Sequence, residues 1–342
     1  MIIRSRAPLR LGLAGGGTDV SPYCDTHGGF VLNAAIDRYA YAVIKPLNEP
    51  VVRFAATDQQ IVKVKASNEP LLLNGNLDLH KAVYNHMVQN FNDGKAIPMD
   101  LSTFCDAPAG SGLGSSSTLV VAMVSAFVEL LNLPLDDYEI ARLAYKIERG
   151  DCGLQGGRQD QYSATFGGFN FMEFYEGERA IINPLRIKNW ILCELEASLV
   201  LYFTGVSRES ARIISDQSKN VNSGNVDALE AMHGIKREAL VMKECLLRGD
   251  FNGLVESMRQ GWENKKRSAK TVSNESIDEI YQAACNSGAL AGKVSGAGGG
   301  GFMCFFVPTE RRMDVFRTLN SFGGQVSNCH FTKSGRQAWR VD

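Results

Sequence analysis

"PAGSGLGSSST", residues 108–118, offers a backbone and almost nothing else. Gly110, Gly112 and Gly114 stand at alternate positions, with Ser111 and Leu113 between them, and run into Ser115, Ser116, Ser117 and Thr118. Ahead of the loop, "MDLSTFC" (99–105) alternates as a strand does; behind it, Thr118 to Asn132 is apolar nearly all round, as a core helix is. A strand therefore feeds a glycine loop into a helix N-terminus. The first N–H groups of a helix lack partners, and its dipole places roughly half a positive charge there. Glycines let that backbone close around a polyanion. The serines add donors, and one hydroxyl can ligate magnesium. The loop suits phosphate; the bland alternative is a tight turn with a serine N-cap. No lysine follows Gly114 until Lys146, so this is not a Walker loop, and Gly-x-Gly-x-Gly is not the dinucleotide fingerprint.

Upstream, "YAYAVIKPL" (39–47) reads as a strand, and "VVRFAA" (51–56) with "IVKVKA" (61–66) as a hairpin across Thr57-Asp58. Downstream, Pro134 breaks the chain and Asp136 caps a helix with Ile140, Leu143 and Ile147 on one face. The second half has a different rhythm: strand "SLVLYF" (198–203), helical sequence to about residue 268, then a helix capped by Asn274 and running to Asn286. Strands "ALAGKV" (289–294) and "FMCFFV" (302–307), a helix from Thr309 to about Leu319 and a last strand "QVSNCHF" (325–331) follow. That order is the split βαβ, or ferredoxin-like, arrangement. A boundary is expected between 170 and 195, giving units 1–185 and 186–342.

Two further glycine loops need explaining. "KVSGAGGGGF" (293–302) packs five glycines into six residues, where a hairpin needs one or two; close approach to a ligand or to another loop is the better account. "APLRLGLAGGGTDV" (7–20) sets Arg10 ahead of three glycines, Thr18 and Asp19; Asp19 either caps the turn or contacts a polar substrate. Between the loops, in "ERGDCGLQGGRQDQYSATFGG" (148–168), Asp160 has glycines on both sides and Arg158 two residues before it. Glu148 ends the preceding helix, where the dipole disfavours an acid, so another partner such as a metal is expected.

The bulk numbers exclude several classes. At 342 residues the chain is long for one core. A net charge of -1 with interspersed signs gives no nucleic-acid footprint. The N-terminus lacks a signal-peptide core, and "LVVAMVSAFV" is too short to span a bilayer. Eight scattered cysteines, none in a Cys-x-x-Cys pair, argue for free and mostly buried thiols in a reducing cytoplasm.

Taken together, the three glycine loops and Asp160 resemble the GHMP small-molecule kinases across essentially the whole chain. The resemblance implies an α+β fold: a ribosomal-S5-like N-terminal domain and a ferredoxin-like C-terminal domain, with ATP between them. It implies that 110–117 holds the ATP phosphates, that Ser116 and Glu148 ligate Mg²⁺, that Asp160 is the catalytic base and that Arg10 pairs with it. Asp19, with Thr18, matches a sugar-binding position, and "GAGGGG" (296–301), including Gly298 and Gly299, matches the third motif, which supports phosphate loop and substrate. Galactokinases carry Gly-Glu-His-Thr-Asp in the first motif; here it is "GGGTD", with Gly16 and Gly17 replacing the larger residues. Within the family, the first motif and "GGFVLNAAIDRYAY" look instead like the heptose 7-phosphate kinases and the kinase part of L-fucokinases. The implied reaction is phosphorylation of the anomeric hydroxyl of a phosphosugar, with Arg158 or Arg208 gripping its remote phosphate. A kinase for L-fucose or another sugar, and a non-catalytic sensor of the same fold, are the alternatives. The expected partners are the sugar phosphate and ATP, without nucleic acid or membrane; a homodimer is left open.

Overall fold

A computed structural model describes residues 1–56, 60–206 and 210–342. The turn at Thr57-Asp58 and Arg208 lie outside the described residues. The first half runs β1 (Ile2–Ala14), α1 (Tyr23–His27), β2 (Gly29–Pro46), β3 (Val51–Ala56), β4 (Gln60–Lys65), α2 (Asp78–Phe91), β5 (Met99–Cys105), α3 (Ser115–Leu131), α4 (Asp137–Tyr145), α5 (Gln159–Phe166), β6 (Phe169–Phe174) and β7 (Ala180–Pro184). The second half continues with α6 (Asn189–Ser198), β8 (Leu199–Phe203), α7 (Ser210–Asn222), α8 (Val226–Arg248), α9 (Phe251–Ser268), α10 (Glu275–Asn286), β9 (Ala291–Val294), β10 (Phe302–Phe306), α11 (Arg312–Asn320), β11 (Gln325–Asn328) and β12 (Gln337–Val341).

The second half has the expected order. Its sheet reads β11-β8-β10-β9, every neighbouring pair antiparallel, with helices in the two crossovers. The first sheet reads β12-β1-β2-β5-β3-β4, and β2 is long enough to pair with β5 along one end and with β6 along the other. Its hairpin β3–β4 forms as the alternation predicts. The sequence's last strand ends early: β11 stops at Asn328, and the chain returns to the first half, where β12 pairs antiparallel with β1. The Asp37 N–H donates to the His330 carbonyl on the way (2.8 Å).

The three largest apolar clusters among the described residues make up most of the core. One lies between the first sheet and α2, α3 and α4; α3 is buried along most of its circumference, as its all-round apolar sequence requires. The second joins the halves: Leu9, Leu11 and Leu32 of the first sheet meet Leu201, Met242 and Met258 of the second half. The third fills the far face of the second sheet under α10 and α11. Two helix starts carry the caps read from the sequence. Asp136 accepts from the Glu139 N–H within a capping box, and Asn274 from the Ile277 N–H. Thr309 supplies no cap; it opens one 3₁₀ turn ahead of α11. Among the described residues no cysteine is in a disulfide, and of the eight only Cys24, Cys304 and Cys329 are buried, fewer than expected. Among the described residues, no helix is long and apolar enough to cross a membrane.

Candidate active site

The loop 106–114 leaves β5 and enters α3 through Gly114, whose φ of 77° places it in the left-handed region, and no side chain caps the helix. The serine hydroxyls turn elsewhere. Ser115 donates to the Pro108 carbonyl (3.1 Å), Ser116 donates to Glu148, and Ser117 accepts from Gln161 Nε2 (3.1 Å). The serine N-cap is therefore not made. Gly110, Gly112, Gly114 and Ser115 to Ser117 line a cleft of about 420 Å³, with the uncapped turn and its positive dipole end in the wall.

The glycine loop at 296–301 supports this loop from behind. Phe302 N–H donates to the Ser111 carbonyl (2.8 Å), and Ser295 Oγ to the Gly112 carbonyl (2.8 Å). A β-carbon on Gly112 would overlap the Ser295 carbonyl oxygen, and one on Gly301 the Ser111 carbonyl oxygen. Here the glycines serve an approach of backbone to backbone. Gly296 and Ala297 reach the cleft. Gly298 and Gly299 pack instead on the turn at Val272, whose carbonyl accepts from Gly299 N–H (2.8 Å).

Asp160 sits in the first turn of α5, so the acid read as bracketed by glycines begins a helix, where the dipole favours it. Its carboxylate lies against Gly114: a β-carbon there would come within 3.2 Å of Asp160 Cγ. Arg10, buried on β1, donates from Nε to Asp160 Oδ1 (2.7 Å) and from Nη1 to the Gly112 carbonyl (2.6 Å). One guanidinium thus ties the acid to the glycine loop.

Glu148 does not end a helix. It is buried in a π-helical turn, residues 146–151, that continues α4, and Gln161 Nε2 donates to its Oε2 (2.6 Å). It touches Ser116, so the two expected magnesium ligands are brought together. A hydroxyl and a carboxylate are hard oxygen donors that fit Mg²⁺, which binds through one or two protein ligands and completes its shell with phosphate and water. Among the described residues no group of three or more His, Cys, Asp or Glu stands ready to hold a metal alone. The fit is to a metal that arrives with a phosphate.

Asp19 reaches the cleft but is buried and well bonded, accepting from Gln159 N–H (3.0 Å), Gln159 Nε2 (3.0 Å) and Gly17 N–H (3.1 Å). Thr18 is fully buried; its hydroxyl has the Gly15 (2.8 Å) and Phe30 (2.9 Å) carbonyls within reach of its single proton and accepts from Phe30 N–H. Arg158 is turned to Asp25 (3.0 Å) and the Tyr175 carbonyl (2.8 Å), and is not among the side chains facing the cleft.

Two cations that sequence reading passed over do face it. Lys265 of α9 is buried and donates to the carbonyls of Gly16 (3.3 Å) and Gly296 (2.5 Å), bridging the first and third glycine loops. Burial, reinforced by the neighbouring Lys293 and Arg10, pushes its ammonium down to about 7, against the opposing pull of Asp19 and Asp160. Nothing in "ENKKRSAK" separates Lys265 from a solvated basic run. Arg149, beside Glu148, is the second.

Comparison with known proteins agrees with this geometry. The chain matches the family models "GHMP kinases N terminal domain" over residues 78–168 and "GHMP kinases C terminal" over 242–324. It is 49% identical over 339 residues, 99% of each chain, to D-glycero-alpha-D-manno-heptose 7-phosphate kinase of Campylobacter jejuni. It is 28% identical to the bifunctional fucokinase/GDP-fucose pyrophosphorylase of Arabidopsis thaliana, over 86% of this chain and 29% of that one. The crystal structure of a D-glycero-D-manno-heptose 1-phosphate kinase from Bacteroides thetaiotaomicron superposes with a TM-score of 0.85 at 44% identity, covering 99% of both chains. With a glycine loop at an uncapped helix, an Arg–Asp pair against it and relatives this similar along their whole length, the chain belongs to the GHMP kinase family.

Proposed function

We propose that the protein is an ATP-dependent kinase that phosphorylates the anomeric hydroxyl of a manno-heptose 7-phosphate, giving the 1,7-bisphosphate. The observation that carries the kinase reading is the Arg10–Asp160 pair held against Gly114, at the mouth of the uncapped α3. The phosphosugar reading rests on similarity to relatives named for phosphorylated manno-heptoses.

In this reading the backbone of 110–117 holds the triphosphate, with Ser116 and Glu148 as ligands for its Mg²⁺. The metal, when bound, neutralises charge on the transferring phosphate. Asp160 accepts the sugar hydroxyl proton as that oxygen attacks the γ-phosphorus. The bond from the γ-phosphorus to the bridging oxygen breaks, and ADP leaves. Arg10 fixes Asp160 toward the cleft, so positioning supplies much of the rate. Asp19 and the third loop border the sugar. A cytoplasmic location belongs to the same reading, and cysteines outside any disulfide suit it.

The test is ADP release with heptose 7-phosphate, free heptose, L-fucose and galactose at one ATP concentration. The reading expects kcat/KM for the phosphosugar to stand well above the rest. A preference for L-fucose or free heptose would overturn the phosphosugar assignment and leave the kinase assignment standing. No ADP release with any sugar would overturn both.

A further inference from the structure

Three buried or half-buried arginines surround the cleft or its walls, and two of them are satisfied. Arg10 has acceptors at 2.6 and 2.7 Å, and Arg158 at 2.8 and 3.0 Å. Arg149 differs. Its Nε is buried and has no partner among the described residues. Its Nη atoms stand 3.4 Å from Glu148 Oε1 and 3.4–3.5 Å from the Leu154, Gln155 and Gly157 carbonyls and Ser117 Oγ. Charge-assisted N–H···O bonds form at about 2.7–2.9 Å, so each contact is stretched. An N–H withdrawn from water without an acceptor is costly to hold, and the Arg149 Nε–H is one. The chain accommodates it deliberately: a β-carbon on Gly156 would overlap the Arg149 guanidinium. The side chain lines the cleft on the side of Ser116, Ser117 and Glu148.

We infer that Arg149 is a ligand for the terminal phosphate of a nucleoside triphosphate bound on the 110–117 loop. The inference rests on the kinase reading above. Its planar fork matches two phosphate oxygens, and closing on them replaces loose contacts with short ones. Its place beside the Ser116–Glu148 contact puts it where the terminal phosphates and their metal must meet the helix N-terminus. Glu148 binds from the metal side and Arg149, the next residue, from the phosphate side.

The experiment measures dissociation constants by calorimetry, with Mg²⁺ present, for ADP and for a non-hydrolysable ATP analogue. Wild type, Arg149→Gln and Arg149→Lys are compared, and thermal melts verify folding. Loss of a charged hydrogen-bonding group corresponds to about tenfold to hundredfold in affinity. Arg149→Gln is expected to weaken the analogue by that factor and ADP less than about threefold, with Arg149→Lys recovering part of the loss. Unchanged analogue binding would overturn the inference. Equal weakening of both nucleotides would also overturn it, marking Arg149 as a staple for the 154–157 segment. Selective loss of heptose 7-phosphate binding would move the residue to the sugar's phosphate and overturn it as stated. If the wild type binds neither nucleotide, the kinase reading itself has failed.

Discussion

Replacing Lys265 with methionine should flatten the pH dependence of stability by nearly one proton. Methionine has similar length, adds no polar atom and tolerates irregular space. In the native protein the ammonium is held at about 7 against an ordinary 10.5. The folded value is the lower one, so between about pH 7 and 10.5 the unfolded chain binds more protons, and stability rises with pH. One full proton of difference is worth about 1.4 kcal/mol per pH unit. Between pH 8 and pH 9 native Lys265 is mostly neutral and unfolded Lys265 mostly charged, so this residue contributes about 1 kcal/mol of increase. Lys293, pushed down by burial to about 8, acts in the same direction but is present in both proteins and cancels on subtraction. Urea unfolding of wild type and Lys265→Met at the two pH values gives the difference directly. Equal increases in both would refute a proton lost from Lys265 on folding. There is a ligand arm as well. A phosphate entering the cleft favours the charged ammonium, so binding near pH 8 should take up a proton. Calorimetry in buffers of different ionisation enthalpy reads that uptake, and the variant should lose it.

Asp160→Asn should lower kcat by about 10²–10⁴-fold and leave nucleotide affinity near wild type, since the amide oxygen still accepts from Arg10; a wild-type kcat in a coupled ADP assay would remove Asp160 as the base. Glu148→Gln should raise the Mg²⁺ concentration needed for half-maximal activity, because a charged oxygen ligand is lost. An unchanged magnesium titration would place the metal elsewhere; Asp151, 2.7 Å from His86, is the adjacent carboxylate to examine. Gly112→Ala puts a β-carbon into the Ser295 carbonyl at φ 82°, and should cost about 1–3 kcal/mol of stability together with nucleotide affinity, read as a shift in the urea midpoint and in ADP binding.

The parts of this structure that could be read from sequence are those with local causes. Strand 99–105, the apolar helix behind the glycine loop and the caps at Asp136 and Asn274 each carry their signal within a few residues. Helix α2 escaped because the residue at its N-cap is Leu77, left-handed and without a side-chain cap, so no capping residue announces its start. Strand β12 escaped because its stability comes from pairing with residues more than 300 positions away. The site divides the same way. Arg10, Asp160, Ser116 and Glu148 stand in motifs, and the structure brings them to one cleft. Lys265 and Arg149 are recognisable only by what surrounds them, a buried junction of loops for one and the lack of close acceptors for the other. Thr18, taken from the first glycine motif, and Arg158, taken for its charge, hold internal partners in the fold.

The pairing of β12 with β1 makes the chain cross between its halves twice, once at 185–188 and again near 329–330. Two bodies joined at one point can twist, slide and swing. Here the two crossings lie side by side: Leu185 N–H donates to the Phe169 carbonyl (2.8 Å), and the Phe169 and Phe331 ring centroids stand 4.7 Å apart. The halves also share the apolar cluster of Leu9, Leu11 and Leu32 with Leu201, Met242 and Met258, so the seam is a continuous packed contact beside two backbone crossings. On the cleft side the 110–114 and 296–301 loops are held in one register by the Ser295 hydroxyl on the Gly112 carbonyl and the Phe302 N–H on the Ser111 carbonyl, so the seam fixes the spacing of the loops at the end where the cleft lies.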